Sequence, residues 1–196
     1  MSLVELIAQA DERGLAASGL ACLDRCVPLL GADDEVLRPL WGCLADDGDT
    51  GEWGGRLEQV RGKLAGPEEY AESLEDEAAV LARRMLAAAP VEWDAGVVRV
   101  WADGCSVAAL QIHRLLDPLD DEGASVDARR EGRTEGISPL VAAELRRQVT
   151  VLEVLAGHGA GGLRRAMEVS TEGRRVLRAV VSRRARRGWS RSSPRP

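Results

Sequence analysis

The stretch AGVVRVWADGCSVAALQIHRLL, residues 95–116, decides the fold. At 100° per residue, Val97, Trp101, Cys105, Ala108, Ile112 and Leu115 fall on one helical face. Val100, Val107 and Leu110 lie elsewhere around the same helix. A helix apolar nearly all round belongs in the middle of a bundle, so this stretch is expected to be the centre. Asp94 stands where an N-cap belongs.

Helix signals continue outward in both directions. Upstream, Tyr70, Leu74, Ala78, Leu81 and Met85 form one stripe, opened by Pro67-Glu68-Glu69 and closed by Pro90. Trp53, Leu57, Val60 and Leu64 make a short helix ended by Gly66. Residues 46–52 read as a loop. Asp33 and Asp34 cap a helix carrying Val36, Leu37, Leu40, Trp41 and Leu44. Ser18 caps another, with Leu20, Leu23 and Val27 inward and Pro28 at its end. Ser2-Leu3-Val4-Glu5 is a capping box that opens the first helix, which stops near Gly14.

Downstream, residues 117–137 are charged and weakly periodic and read as a long loop. Ser138-Pro139 starts a helix through Ala156, the glycines of residues 157–162 break it, and a last helix runs from Leu163 to about Arg187. No segment reads as a strand. The expectation is an all-α protein, an irregular bundle of about seven to nine helices with a basic, partly projecting C-terminal helix. Residues 1–181 form one domain with two sub-lobes, 1–116 and 138–181, and residues 182–196 form a basic flexible tail.

Composition agrees. The chain has 196 residues, 45% of them hydrophobic, with no Phe, one Tyr and five Trp. Its core is therefore built from Leu, Val and Ala, which favours helices, with Trp41, Trp53, Trp93 and Trp101 as large fillers. All the basic residues but Lys63 are Arg, as in translation from a GC-rich, bacterial genome. The N-terminus lacks the basic leader of a signal peptide, and no apolar run approaches the roughly 20 residues of a membrane span. Four unevenly spaced Cys are not a secreted disulfide framework. A soluble cytoplasmic protein is expected.

Charge is divided unevenly along the chain. Residues 164–196 hold eleven Arg and two acids, a net +9, whereas residues 1–163 hold 15 Lys+Arg and 30 Asp+Glu, a net −15. Such a block is an exposed surface for an anionic partner or a counterpart to the chain's own acids. On a helical wheel Ala166, Val169, Val176, Leu177 and Val180 share one face of the last helix, with Gly173 among them. After Val181 the pattern fails, because Arg184 and Arg187 fall on the apolar side. The predicted contact residues are Arg174, Arg175, Arg178, Arg183, Arg184, Arg186, Arg187, Trp189 and Arg191.

Other patterns carry less. Gly157-x-Gly159-x-x-Gly162 has the spacing of a dinucleotide loop but follows a helix, so it reads as a connector and no cofactor is expected. Cys22 and Cys26 share a helical face, yet zinc knuckles and paired His are absent, so no metal is expected. Cys105 and His113 stand two turns apart on one helix, too far for a nucleophile–base dyad. The acids Glu68, Glu69, Glu72, Glu75, Asp76 and Glu77 read as a solvated face. Glu144 and Gln148 are i, i+4 neighbours among Val141, Leu145, Leu152 and Leu155, where apolar residues belong. A buried carboxylate needs a partner, for which His113 and Arg99 are the candidates.

The leading expectation is a non-catalytic interaction or regulatory protein that acts on a protein partner through its Arg-rich C-terminal helix. A second reading puts the same arginines on nucleic-acid phosphates, with Trp189 stacking on a base. A third makes His113, Glu144 and Gln148 a polar cleft for a small molecule or a reaction. Homo-oligomerisation competes with all three.

Overall fold

The computed structural model describes residues 1–45, 49–64, 74–119, 124–157 and 159–192, with side chains for all of these except 74–75, 159–160 and 187–192. Among the described residues nine α-helices and two short 3-10 turns form, with no strand. In chain order the helices are α1 (Leu3–Gln9), α2 (Glu12–Cys26), α3 (Arg38–Cys43), α4 (Trp53–Leu64), α5 (Leu74–Ala87), α6 (Ala95–Leu116), α7 (Val126–Arg130), α8 (Pro139–Gly157) and α9 (Gly159–Ser192). The proposed start at Pro67, with Glu68, Glu69, Tyr70 and Glu72, lies outside the described residues.

Several ends form as their residues dictate. Ser2 and Glu5 close the capping box on α1, Ser2 accepting from the Glu5 N–H and Glu5 from that of Ser2. Asp94 caps α6 by accepting from the Val97 N–H. The start of α2 differs from expectation. Asp11, not Ser18, is its cap, accepting from the Gly14 N–H at 2.7 Å. Helix α2 thus absorbs both Gly14 and Ser18. Helix α3 is also shorter than predicted, because Asp33 turns the chain back on itself by accepting from the Glu35 N–H.

The centre of the bundle is α2 rather than α6. Every residue from Leu15 to Val27 is buried, and α6, α8 and α9 all pack on this helix. Small residues make that packing dense. A Cβ on Gly19 would lie 3.0 Å from the Trp101 ring and 3.2 Å from the Ala102 Cα, so α2 and α6 cross at a glycine. Helix α6 is amphipathic, with Val97 50% and Val100 74% exposed. The two valines sit on the side of α6 turned away from α2.

Trp53 fills the space below α5 and α6. Its ring meets those of Trp93 and Trp101 edge-on, at centroid distances of 5.6 and 5.9 Å. Its indole N–H donates to the Pro90 carbonyl, and that of Trp101 to the Met85 carbonyl. Arg61 of α4 donates to the carbonyls of Leu86, Ala87 and Ala89 at the end of α5, satisfying groups that a helix C-terminus leaves open.

Helices α8 and α9 join the same core as the N-terminal helices. A Cβ on Gly162 would stand 2.4 Å from the Val154 carbonyl, so the glycine-rich connector lets α9 turn tightly against α8. Ala166, Ser170, Gly173, Arg174 and Leu177 of α9 are buried, and Val176, Val180 and Val181 are half-buried against the core. The helix then runs on to Ser192. Within residues 117–137, α7 buries Ala128, Arg129 and Arg130. No described helix is long and apolar enough to cross a membrane.

Candidate functional site

A charged pair lies at the heart of the core. Arg25 of α2 grips Glu144 of α8 with two hydrogen bonds, Nε to Oε2 at 2.8 Å and Nη2 to Oε1 at 2.6 Å. Neither side chain reaches solvent. The fork of the guanidinium matches the two carboxylate oxygens, the strongest form of such a pair. Gln148 Nε2 donates to Glu144 Oε1 at 2.9 Å and accepts, through Oε1, from the Ser106 hydroxyl at 2.7 Å. Arg130 of α7 extends the chain of bonds, donating to the Ser106 hydroxyl and to the Asp103 carboxylate. Four helices are tied together by this network.

His113 of α6 stands beside it. Its Nε2 is 3.5 Å from Glu144 Oε2, while its Nδ1 sits 2.7 Å from the Ala109 carbonyl. Burial pushes the imidazole below its ordinary value, against the pull of Glu144, so the ring is neutral and Nδ1 carries the proton. Burial would raise the Glu144 carboxyl, but the Arg25 guanidinium, helped by the Gln148 amide, overrides it and holds it at about 2. Glu144 and Gln148, i, i+4 neighbours, are therefore brought together with His113, one of the two candidate partners, and all three are sealed from solvent.

The partner that sequence reasoning missed is Arg25. Arg99 lies elsewhere, donating to the Ile7 and Ala10 carbonyls. One signal pointed to Arg25. Asp24 and Arg25 are the only charges in the run from Leu15 to Val27, and both are buried. The thiols of that run are inert. Burial pushes Cys22 up to about 12 and raises Cys26 and Cys105 as well, so they pack as apolar side chains. Among the described residues no three His, Cys, Asp or Glu side chains are placed to hold a metal ion.

A second ionic cluster anchors α9. Arg174 Nη1 donates to Asp24 Oδ1 and to the Asp34 carbonyl, both at 2.6 Å. Arg178, one turn on, forks both oxygens of the Asp34 carboxylate. A cavity of about 260 Å³ lined by Asp24, Asp34, Trp41, Thr171 and Arg174 adjoins this cluster.

The two buried acid–arginine pairs differ in sign. Burial raises the Asp24 carboxyl to about 6, more than Arg174 lowers it, because Arg174 meets Asp24 with one bond where Arg25 meets Glu144 with two. A carboxyl raised above its unfolded value makes the folded state bind more protons, so this group weakens stability as pH rises from about 4 to 6. Asp24→Asn, which mimics the protonated form, should melt at pH 7.5 no lower than the parent. A fall of more than about 4 °C would show that the ion pair outweighs burial.

The remaining predicted contact residues sit along the outer part of α9. Arg175, Arg183 and Arg186 are exposed and Arg184 is half-buried. Arg187, Trp189 and Arg191 lie in the helix, beyond the described side chains. No protein-family model, no curated protein sequence and no solved structure matches the chain.

Proposed function

We propose that this is a non-catalytic, cytoplasmic interaction protein that presents the distal half of α9 to an acidic surface of a protein partner. One observation carries the reading. The buried face of α9 ends at Leu177, with Val180 and Val181 half-buried, yet the helix continues through the arginines 183–187 to Ser192. Eleven residues beyond Val181 extend about 16 Å at 1.5 Å per residue. The segment from Arg183 to Pro196 has no acid to neutralise it. A protein surface rather than a duplex is favoured, because residues 1–163, at −15, repel a polyanion as long as DNA.

The test compares the full chain with one ending at Val181. Both are titrated against a labelled poly-glutamate peptide, duplex DNA and single-stranded RNA, at low and physiological salt. The expected result is poly-glutamate binding at physiological salt that is lost with the segment after Val181. Tail-dependent binding of DNA or RNA in preference to poly-glutamate would assign the arginines to phosphates instead. Equal binding by the two chains would remove the arm from the function.

A further inference from the structure

Arg174 and Arg178 belong to the same basic segment as the distal arginines, but they already hold carboxylates. We infer that Asp34 is an internal stand-in for the acidic partner, an autoinhibitory clamp on Arg178 that fixes the root of α9 and is displaced when a partner binds, while the buried Asp24–Arg174 pair stays in place. This rests on the reading of α9 as the binding arm and names its regulation.

The geometry makes the clamp distinct from the core. Arg174 and Arg178 lie at i and i+4, so both point to the same side of α9, over the end of α2 and the turn that follows it. They engage just before Val180 and Val181, the last half-buried apolar residues among those described in the helix. Arg174 is buried, but Arg178 and Asp34 are 46% and 38% exposed, so an incoming carboxylate can reach the Arg178 fork. The bond from Arg178 holds the Asp34 carboxyl below its ordinary value. Asp33 and Arg175 also bear on this pair, and Glu35 and Arg38 line the adjoining cavity. Half-exposed ion pairs are weak, which is what a displaceable contact requires.

Inside the bundle the opposite holds. Arg25 and Glu144 are sealed from solvent and hold α2 to α8 by two hydrogen bonds of their own. The clamp can therefore open while the fold persists.

The experiment uses the full chain, its Asp34→Asn variant and, as a control with the same change of charge, Asp33→Asn. Asp33 accepts from the Glu35 backbone N–H, whereas Asp34 holds Arg178 of α9. Hydrogen exchange over residues 174–186 reports the clamp, and anisotropy with labelled poly-glutamate reports binding. Asp34→Asn is expected to speed exchange in α9 and to tighten poly-glutamate binding on the order of fivefold or more. Asp33→Asn should leave exchange as it is and shift binding less. Unchanged exchange in Asp34→Asn overturns the clamp. Faster exchange with affinity equal to that of the Asp33→Asn control overturns its autoinhibitory role. A parent chain that does not bind poly-glutamate at all fails the arm reading first, and the regulation with it.

Discussion

Replacing Glu144 with Gln is expected to lower the melting temperature by about 6–20 °C, the consequence of leaving a buried arginine with no counter-charge, about 3–5 kcal/mol. The amide keeps the shape of the carboxylate but offers Arg25 one acceptor where it had two, and no charge. Arg25 is fully buried among apolar side chains of α2 and has nowhere to turn. The sign with pH follows from the carboxyl held at about 2. A depressed carboxylate contributes fully above its unfolded value of 4.5 and loses that contribution as pH falls through 2, so the gap between parent and variant should close in strong acid. Replacing both partners, Arg25→Met with Glu144→Leu, should cost less than either single change, because the apolar pair needs no compensation. An unchanged melting temperature for Glu144→Gln would mean that the pair contributes nothing and that α2 and α8 are held by packing alone.

The second large effect is at Gly173. A Cβ there would lie 2.3 Å from the Arg25 Cδ and 3.0 Å from the Arg147 Cδ. Arginine stems usually give way, but Arg25 is pinned at its far end by both Glu144 oxygens. Gly173→Ala should therefore destabilise by about 1–3 kcal/mol and speed exchange along Ala166–Leu177, despite the gain in helix propensity. Gly104→Ala is the matched control. It sits in the middle of α6 with nothing within 4 Å of its Cβ position, and should stabilise by up to about 1 kcal/mol. If both substitutions stabilise, α9 does not rest on the Arg25 stem.

These two predictions meet at one place in the fold, since Arg25 is both the ionic partner of Glu144 and the surface on which α9 sits. Glu144 and Gln148 were legible because they interrupt an apolar stripe, and their i, i+4 spacing showed that they act together. Their partner was not legible. A charge in the run from Leu15 to Val27 identifies a residue in need of compensation, but Arg25 and Glu144 are 119 positions apart, and no local pattern links them. The same holds for Asp24 with Arg174, and for Asp34 with Arg178.

The sequence by itself determined the helical class, the bounds of α6 and α8, and the point at which α9 ceases to be apolar. Each of these is written in periods of three and four residues and in caps that act within one turn, so each is local. The tertiary structure alone decided which helix is central. Apolar character all round a helix is necessary for burial but does not choose between α2 and α6. The choice falls to α2 because its small residues, Ala16, Ala17, Gly19 and Ala21, let three neighbours approach at once, whereas Val97 and Val100 of α6 face outward. It also decided which arginines are held and which project. That depends on where the acids of α2 and of the turn after it stand in space when α9 docks, and charge composition carries no such information.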